Sequence, residues 1–364
     1  MSDASIDRQA AFSGTKPVPD ALAIDTRRLE TYLTAAVPGF EGPIALLQFK
    51  GGQSNPTFLM ETPSGRHVLR RKPPGDLLPS AHAVDREHRV MTALGGAGFP
   101  VPRTHVLCRD TAIIGSMFYV MDCVDGRVIW TPDVPDVTAG ERAAIYDAMN
   151  ATIATLHGFD PAALGLSDFG RTGGYVARQI KRWTAQYEAS RTGHIEDMAR
   201  LADWLPGRVP TEVQTTLVHG DFRLDNLILA PDRPEILAVL DWELATLGDP
   251  LADFTYHLMA WHMPPTDDGS GVGSLVGHDL AALGIPSMED YVTTYCARTG
   301  RDSLPDLDFY LAYNFFRMAA ILQGIAGRVR DGTATNDQAA IMGRQVAPLA
   351  KTAWHFAQRA GATS

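Results

Sequence analysis

Cysteine is scarce in this chain, and its copies lie far apart. The three residues Cys108, Cys123 and Cys296 are odd in number and include no CxxC pair. A disulfide framework and a zinc ribbon both need paired cysteines at short spacing, so the sequence predicts neither. Such scarcity is typical of proteins in a reducing compartment, and we therefore expect a cytoplasmic location.

Long apolar runs and an excess of positive charge are also missing. No apolar run approaches the roughly 18 to 20 residues of a membrane-spanning helix, and the polar start MSDASIDRQAAFSGTKPVPD lacks the apolar stretch of a signal peptide. The formal net charge of −10 gives no diffuse basic surface of the kind that polynucleotide binding needs. We therefore expect neither a membrane nor a nucleic acid as partner.

What the chain does have is a globular composition and a change of pattern along its length. Its 364 residues are 45% hydrophobic and 20% charged, which is enough for two lobes with separate cores. Short β-like segments between glycine and proline turns come first, and helical periodicity dominates beyond Asp125. The sequence predicts a flexible N-terminal arm (1–23), a β-rich N-terminal lobe (24–124) and a mostly helical C-terminal lobe (125–364).

Three oxygen-bearing side chains are predicted at neighbouring strand ends of the C-terminal lobe. Asp221 and Asn226 stand five positions apart in HGDFRLDN, and Asp241 ends the next strand in AVLDWE. Magnesium prefers hard oxygen ligands, so Asn226 and Asp241 could hold it together with substrate phosphates. Asp221 would then accept or orient the proton of an attacking hydroxyl. The alternative is that these are ordinary turn or cap residues, which their combined spacing disfavours.

The motifs HGDFRLDN and LDWELATLGDPLADF resemble those of the aminoglycoside phosphotransferase and choline kinase family. The resemblance covers about residues 45 to 355 and implies an α+β, bilobal, protein-kinase-like fold that binds ATP and magnesium between its lobes. Matching positions imply that Asp221 is the catalytic base and that His219 orders the loop. They also imply that Asn226 and Asp241 hold magnesium.

A second tripeptide, Asp168-Phe169-Gly170, has the letters of the protein-kinase magnesium motif. It precedes the catalytic loop, whereas the metal aspartate of kinases follows that loop, so we interpret it as a coincidence. No stretch after Asp241 resembles an activation loop ending in Ala-Pro-Glu, which disfavours protein substrates. Asp253, in GDPLADF, matches a structural carboxylate of the family.

The N-terminal lobe contains the segments that the resemblance assigns to ATP. GGQSNPTF has a glycine turn whose backbone N–H groups could approach phosphates, although such a pair is also typical of plain hairpins. The matching positions are Gly51, Gly52, Ser54 and Asn55. The segment VMDCVDG resembles the linker whose backbone meets the adenine. Its residues there are Asp122, Cys123 and Val124.

Arg70 falls where kinases carry the strand lysine that grips the α- and β-phosphates, and Glu87 falls at the position of its helical partner. Arginine stays charged and can clamp phosphate, with a different reach and geometry. Lys72 would share the strand face with Arg70 and is the alternative phosphate ligand. An exposed basic edge strand that discourages aggregation is the remaining interpretation.

The acceptor is the least determined part of the prediction. The stretches LRRKPPGDLLPSAHAVDREHRV, FGRTGGYVARQIKRW and FFRMAAILQGIAGR resemble the family branch found in acyl-CoA dehydrogenase fusion proteins, which implies phosphorylation of a hydroxyacyl-CoA. Basic residues on two predicted helices could bind coenzyme A phosphates, or could simply be solvated. They are Arg178, Lys181, Arg182, Arg317, Arg328 and Arg330. An aminoglycoside- or choline-type phosphotransferase and a nucleotide-binding pseudokinase scaffold stay as alternatives.

Overall fold

The computed structural model describes residues 8–51, 55–73, 82–266, 273–331 and 342–363. Within these ranges the chain forms an antiparallel sheet lobe followed by a mostly helical lobe, which confirms the predicted α+β, bilobal fold. No helix in the described part of the chain is long and apolar enough to cross a lipid bilayer.

The N-terminal lobe is built on an antiparallel sheet. Its six described strands are β1 (Thr15–Lys16), β2 (Ala45–Phe49), β3 (Thr57–Thr62), β4 (Gly65–Arg71), β5 (Thr104–Cys108) and β6 (Phe118–Asp122). They lie side by side in the order β1-β2-β3-β4-β6-β5. The turn between β3 and β4 ends at Gly65, whose φ of 126° would strain any residue with a side chain.

Alternating side chains give this sheet two distinct faces. Val68 and Arg70 of β4 line the cleft toward the C-terminal lobe, whereas Leu69 between them is buried on the opposite face. That opposite face packs against α2 (Thr26–Ala36), and α3 (Val84–Gly96) lies against the sheet on the cleft side. The alternation of a strand therefore carries Arg70 into the cleft.

The described part of the predicted flexible arm is folded. α1 (Arg8–Phe12) precedes β1, and in β1 Thr15 pairs with Phe49 of β2. The sequence predicted a loosely held arm, whereas pairing of Thr15 and Lys16 with the edge of the sheet ties residues 8–16 to the N-terminal lobe. We call residues 8–16 the N-terminal strap.

The C-terminal lobe is mostly helical, with two short ribbons that carry the loops of the site. β7 (Thr216–Val218) pairs with β10 (Thr246–Gly248), and β8 (Leu227–Leu229) pairs with β9 (Ile236–Val239). The helices are α4 (Ala139–Gly158), α5 (Tyr175–Ser190), α6 (Glu196–Trp204), α7 (Pro250–Leu258), α8 (Leu280–Leu283), α9 (Met288–Thr299), α10 (Leu307–Arg330) and α11 (Val346–Arg359).

Two apolar cores hold these elements together. The smaller core lies between α2 and the back of the sheet. The larger core runs from the cleft side of the sheet into the C-terminal lobe, where α10 packs against α5 and α11. Because this core is continuous between the lobes, it fixes the strand ends of the C-terminal lobe relative to β4 and α3.

Candidate active site

The motif HGDFRLDN forms the loop between β7 and β8 and begins with a sharp turn. Gly220 has a φ of 84°, and a Cβ atom there would lie 2.9 Å from the carbonyl oxygen of Leu244. Glycine alone fits this conformation and this space without a backbone shift. The turn places Asp221 directly after it and Asn226 at the entry to β8.

Asp253 of α7 holds this turn through hydrogen bonds to its backbone. Its two carboxylate oxygens accept the backbone N–H groups of His219 at 2.8 Å and of Gly220 at 2.7 Å. Burial by itself raises the pKa of Asp253, but the hydrogen bonds from His157 and from the backbone N–H of His219 outweigh it and hold the pKa below its ordinary value. Asp253 therefore stays ionised and fixes the loop, as expected of a structural carboxylate.

The His219 ring links the catalytic loop to the strand end before Asp241. Its Nδ1 accepts the backbone N–H of Asp221 at 3.1 Å, and its Nε2 lies 2.8 Å from the carbonyl oxygen of Leu240. These two partners together require a neutral ring with its proton on Nε2. His219 thus joins the loop of Asp221 to the strand end before Asp241.

The carboxylate of Asp221 is held by partners on both of its oxygens. Nδ2 of Asn226 donates to Oδ2 at 3.1 Å, and Nε of Arg223 lies 3.1 Å from Oδ1. The phenol of Tyr256 also donates to this carboxylate; burial and then the Asp221 charge raise the pKa of Tyr256. The Asp221 side chain is one-fifth exposed and lies beside, not among, the residues that line the cleft.

Asp241 lies two residues after the end of β9, and its backbone has a left-handed conformation with a φ of 65°. Aspartate tolerates this region better than most residues, although it still carries strain. The turn directs the carboxylate at Arg70, whose Nη2 lies 2.6 Å from Oδ1. Asp241 and Arg70 both line the space between the lobes.

Arg70 is paired with Glu87 behind the cleft. Its Nε lies 2.7 Å from Oε2 of Glu87, and both side chains are buried. Glu87 also accepts the Tyr119 hydroxyl at 3.1 Å and Nδ2 of Asn55 at 2.8 Å. The buried Asn55 side chain therefore faces Glu87, so the predicted nucleotide contact at Asn55 could come from its backbone only.

A cleft of about 950 Å³ separates the lobes. Its size falls within the usual range for small-molecule sites, about 300 to 1,000 Å³. Among the predicted residues, those that line it are Gly51, Arg70, Asp122, Cys123, Val124, Asn226 and Asp241. Gly52 and Ser54 lie outside the described residues. Lys72 is not part of this lining, whereas Arg70 is.

The residues predicted for magnesium fit that ion chemically. Asn226 uses its amide nitrogen on Asp221, which directs its Oδ1 elsewhere as a hard oxygen donor. Asp241 contributes a carboxylate to the lining of the same cleft. The backbone N–H of Leu240 donates to the backbone carbonyl oxygen of Asn226 at 2.8 Å, which holds the two residues close together. One amide oxygen and one carboxylate are a common protein share of a magnesium–phosphate site.

The N-terminal strap closes one side of this cleft. Its Phe12 ring lies 5.2 Å from the Trp130 ring, and Nε1 of Trp130 donates to the Ser13 hydroxyl at 3.1 Å. The Gly14 carbonyl accepts the backbone N–H of Lys50 at 3.1 Å. The strap therefore contacts both the glycine turn of the sheet and the segment after the linker, which no pattern in the sequence predicted.

Comparison with known proteins agrees with the geometry. A family model described as the phosphotransferase enzyme family matches residues 45–289. The chain belongs to this family. It is a phosphotransferase whose acceptor is an alcohol group.

Curated relatives of the phosphotransferase include much longer proteins. It is 45% identical to mouse acyl-CoA dehydrogenase family member 10 over 95% of its own chain and 32% of that protein. It is 41% identical to rat acyl-CoA dehydrogenase family member 11 over 92% of its own chain and 43% of that protein. The phosphotransferase thus spans less than half the length of either relative.

Solved structures include a candidate aminoglycoside phosphotransferase from Ralstonia eutropha. It is 47% identical, with a TM-score of 0.84 over 93% of this chain and 99% of that one. Aminoglycoside phosphotransferase APH(4)-Ia, in a ternary complex with ADP and hygromycin B, matches with a TM-score of 0.56 over 92% of this chain and 99% of that one. Its 16% identity shows a shared fold alone.

The Asp168-Phe169-Gly170 tripeptide of the phosphotransferase lies away from the cleft. Asp168 forms an exposed ion pair with Arg89 of α3. Phe169 is buried beneath the guanidinium of Arg86, which lies 4.1 Å from its ring centre. The tripeptide thus joins α3 to the C-terminal lobe, which agrees with its interpretation as a coincidence.

The basic residues considered for coenzyme A do not line the cleft. Arg317 is buried instead: its Nη2 donates to the Gly220 carbonyl at 2.6 Å, and its guanidinium lies 4.9 Å from the Tyr256 ring centre. Arg317 therefore supports the catalytic loop, which corrects its interpretation as a candidate coenzyme A ligand. Helical spacing could not distinguish a solvated arginine from one that points into the core.

Two charged residues of the site were not predicted from the sequence. Arg223 and Asp225 lie inside HGDFRLDN and line the cleft, and Nη2 of Arg223 lies 3.1 Å from Oδ2 of Asp225. Burial by itself lowers the pKa of Arg223, but Asp221 and Asp225 outweigh it and hold the pKa above its ordinary value. Their position between two motif residues was the signal available in the sequence.

Proposed function

We propose that the phosphotransferase transfers the γ-phosphate of magnesium-bound ATP to the hydroxyl of a hydroxyacyl-CoA. The cleft supports the nucleotide part, since Arg70, Asn226 and Asp241 all line it and Glu87 pairs with Arg70 behind it. The names of the relatives, acyl-CoA dehydrogenase family members, support the acyl-CoA part. The scarcity of cysteine supports a cytoplasmic location.

The observation that carries the choice of acceptor is an apolar pocket beside the catalytic loop. It has a volume of about 50 Å³ and shares Trp130, Arg223 and Asp225 with the main cleft. A short aliphatic segment can fill such a pocket, whereas the ammonium groups of an aminoglycoside would lose hydration there. Its flexible lining residues are Met149, Met259, Met263 and Met318.

Each group has a role in the proposed transfer. Asp221 accepts the proton of the substrate hydroxyl while that oxygen bonds to the γ-phosphorus, and the bond from phosphorus to the leaving ADP oxygen breaks. Arg70, oriented by Glu87, binds the nucleotide phosphates. Magnesium, held by Asn226 and Asp241, would neutralise phosphate charge.

The test is ADP release with magnesium and ATP against 3- and 4-hydroxyacyl-CoAs, choline, an aminoglycoside and a small sugar. We expect turnover with a hydroxyacyl-CoA that falls by roughly 10²- to 10⁴-fold in Asp221→Asn, because the proton acceptor is removed. Asp168→Asn is the matched control: it makes the same change at the exposed aspartate outside the cleft and should keep full turnover.

The other results of this panel would choose differently. Turnover with choline or the aminoglycoside, and none with the acyl-CoAs, would contradict the proposed acceptor and keep the proposed reaction. ATP binding without turnover of any acceptor would favour the pseudokinase scaffold. Turnover that persists in Asp221→Asn would remove Asp221 from the role of base.

A further inference from the structure

A chain of alternating charges leads from the N-terminal strap to the catalytic base. Nη2 of Arg8 lies 3.9 Å from Oδ2 of Asp225, and the same oxygen lies 3.1 Å from Nη2 of Arg223. The other side of the Arg223 fork places Nε at 3.1 Å from Oδ1 of Asp221. Arg8 is itself fixed, since its Nε donates to the Trp130 carbonyl at 3.2 Å.

Burial of the Arg223 and Asp225 charges costs desolvation free energy. Asp225 is only 11% exposed and Arg223 only 25%, so both charges have lost most of their water. Buried ion pairs often contribute little to stability relative to apolar residues of similar size, because desolvation offsets their attraction. A pair of this kind beside a base is therefore weak evidence for stability and better evidence for function.

The geometry shows what Arg223 does to Asp221. The Asp221 carboxylate has the Arg223 guanidinium in an ion pair 3.1 Å from Oδ1 and a hydrogen bond from the Asn226 amide on Oδ2, so a partner on each oxygen opposes rotation about the Cβ–Cγ bond. Asp225 in turn fixes the Arg223 fork, because one guanidinium binds both carboxylates. A fixed carboxylate plane keeps its remaining lone pairs aimed at one place, where a hydroxyl can bind.

We propose, building on the proposed function, that Arg223 is a positioning residue for Asp221 and that Asp225 and the N-terminal strap hold Arg223 in place. The role differs from that of Arg70, which faces the predicted phosphate position. A residue that only positions the base affects the rate of transfer more than the binding of ATP.

Arg223→Met tests this proposal through the separation of kcat from KM. We expect kcat to fall on the order of 10²-fold, the loss typical of a misplaced catalytic group, with the KM for ATP nearly unchanged. Arg223→Lys should restore part of kcat, since it keeps the charge but loses the two-sided fork. Arg233→Met, the same change at an exposed arginine in the β8–β9 turn, is the matched control.

A second variant separates positioning from folding. Arg223→Met leaves two buried carboxylates facing each other, whereas Arg223→Met with Asp225→Leu removes the charge conflict. We expect the double variant to unfold at the wild-type temperature and still show the low kcat. A wild-type kcat in either variant would overturn the positioning role. So would a double variant in which kcat and KM return to wild-type values together with the melting temperature. If wild-type protein shows no Asp221-dependent ADP release, the proposed function fails instead.

A separate cluster of metal-binding side chains lies on the other face of the N-terminal sheet. His67 of β4, His105 of β5 and Asp122 of β6 come from three neighbouring strands, and His67 stands opposite Asp122 in the β4–β6 register. Their ligand atoms all lie within 4.8 Å of one another. Nε2 of His105 lies 2.6 Å from Oδ1 of Asp122.

His67 is the member of this cluster that the protein leaves unsatisfied. Both of its ring nitrogens are shielded from solvent, and neither has a hydrogen-bond partner among the described residues. A buried polar atom without a partner costs about 1 to 3 kcal/mol, so native proteins usually pair it with a group, a water or an ion. A cation held between His67, His105 and Asp122 would give one of these two ring nitrogens a partner.

We infer that His67, His105 and Asp122 form a binding site for a zinc-like divalent cation, next to the linker between the lobes. Two imidazole nitrogens and one carboxylate are a donor set that zinc accepts, with a fourth position for water. Magnesium does not fit, because it prefers an all-oxygen shell. The site is distinct from the predicted magnesium site at Asn226 and Asp241.

Calorimetric titration of chelator-treated protein with zinc chloride, without nucleotide, tests this site. We expect one equivalent to bind, and His67→Phe or His105→Gln to weaken binding at least tenfold. Asp241→Ala is the control, because it disrupts the cleft site and should leave zinc binding intact. No saturable binding, equal binding in His67→Phe, or loss in Asp241→Ala would each overturn the inference.

Discussion

At the scale of single residues, Arg70 is where the two lobes meet chemically. Its planar fork contacts Glu87 from the N-terminal lobe at 2.7 Å and Asp241 from the C-terminal lobe at 2.6 Å. Burial by itself lowers the pKa of Arg70, but Glu87 and Asp241 outweigh it and hold the pKa above its ordinary value. Arg70 therefore stays charged in an environment that would favour neutralisation of an isolated cation.

Arg70→Lys should weaken the binding of magnesium-ATP by about tenfold, or about 1.4 kcal/mol. The ammonium group of lysine is a point charge and cannot contact Glu87, Asp241 and a phosphate in the geometry of the arginine fork. Calorimetric titration with magnesium-ATP measures the change.

Lys72→Met is the comparison for this variant. Lys72 lies outside the cleft lining, so its loss should leave the affinity unchanged. A larger loss in Lys72→Met than in Arg70→Lys would assign the phosphates to Lys72 and contradict our choice.

At the scale of elements, helix α7 supports the catalytic loop with two buried polar side chains. Asp253 accepts the backbone N–H groups of His219 and Gly220. One turn further on, the His257 ring lies 2.8 Å from the Tyr291 hydroxyl. Burial lowers the pKa of His257 to about 4, which the Asp253 charge only partly opposes. The helix is therefore built for a neutral ring at this position.

The free energy of unfolding should fall as pH decreases from about 6.5 toward 4, because of His257. The unfolded chain binds a proton at that ring below its ordinary pKa, whereas the folded chain does not until about pH 4. The contribution of this ring is complete above pH 6.5 and decreases by up to about 1.4 kcal/mol per pH unit below it. Urea unfolding at pH 7, 6 and 5 measures the slope.

His257→Phe provides the control, since it keeps a flat ring without a titrating group. The difference in unfolding free energy between wild type and this variant should change with pH in the stated range. An identical pH dependence of the two proteins would show that His257 titrates in the folded state as it does in the unfolded chain.

At the scale of the whole molecule, the N-terminal strap joins the two walls of the cleft. Its backbone pairs with β2, and Nε2 of Gln9 donates to the Val128 carbonyl at 3.0 Å. Phe12, Ser13 and Gly14 line the cleft together with Gly51. Under the proposed function, a nucleotide that enters or leaves the cleft would pass a segment held by both lobes.

Deletion of residues 1–16 should speed the release of ADP severalfold, because one wall of the cleft is lost. Stopped-flow release of a fluorescent ADP analogue gives the rate. Trp130→Ala in the full chain should change the rate in the same direction, since Trp130 is the main contact of the strap beyond the sheet. An unchanged release rate in both would show that the strap lies outside the path of the nucleotide.

Sequence and structure agree where a motif is local and differ where a contact is long-range. The sequence predicted Asp221, Asn226 and Asp241 at neighbouring strand ends, because these residues occupy one loop and the end of the strand pair that follows it. The side chains of Asn55 and Arg317 instead contact Glu87 and the Gly220 carbonyl, which are far away in the chain. Spacing along a strand or helix cannot identify such partners.

The sequence by itself determined the α+β, bilobal fold and the family, because alternation, helical periodicity and the HGDFRLDN motif are local properties of the chain. Only the tertiary structure decided that Arg70 rather than Lys72 lines the cleft, that Arg223 reaches Asp221, and that residues 8–16 form a wall of the cleft. Each of these depends on which distant groups burial brings together, and hydrophobic collapse with backbone pairing sets that in three dimensions.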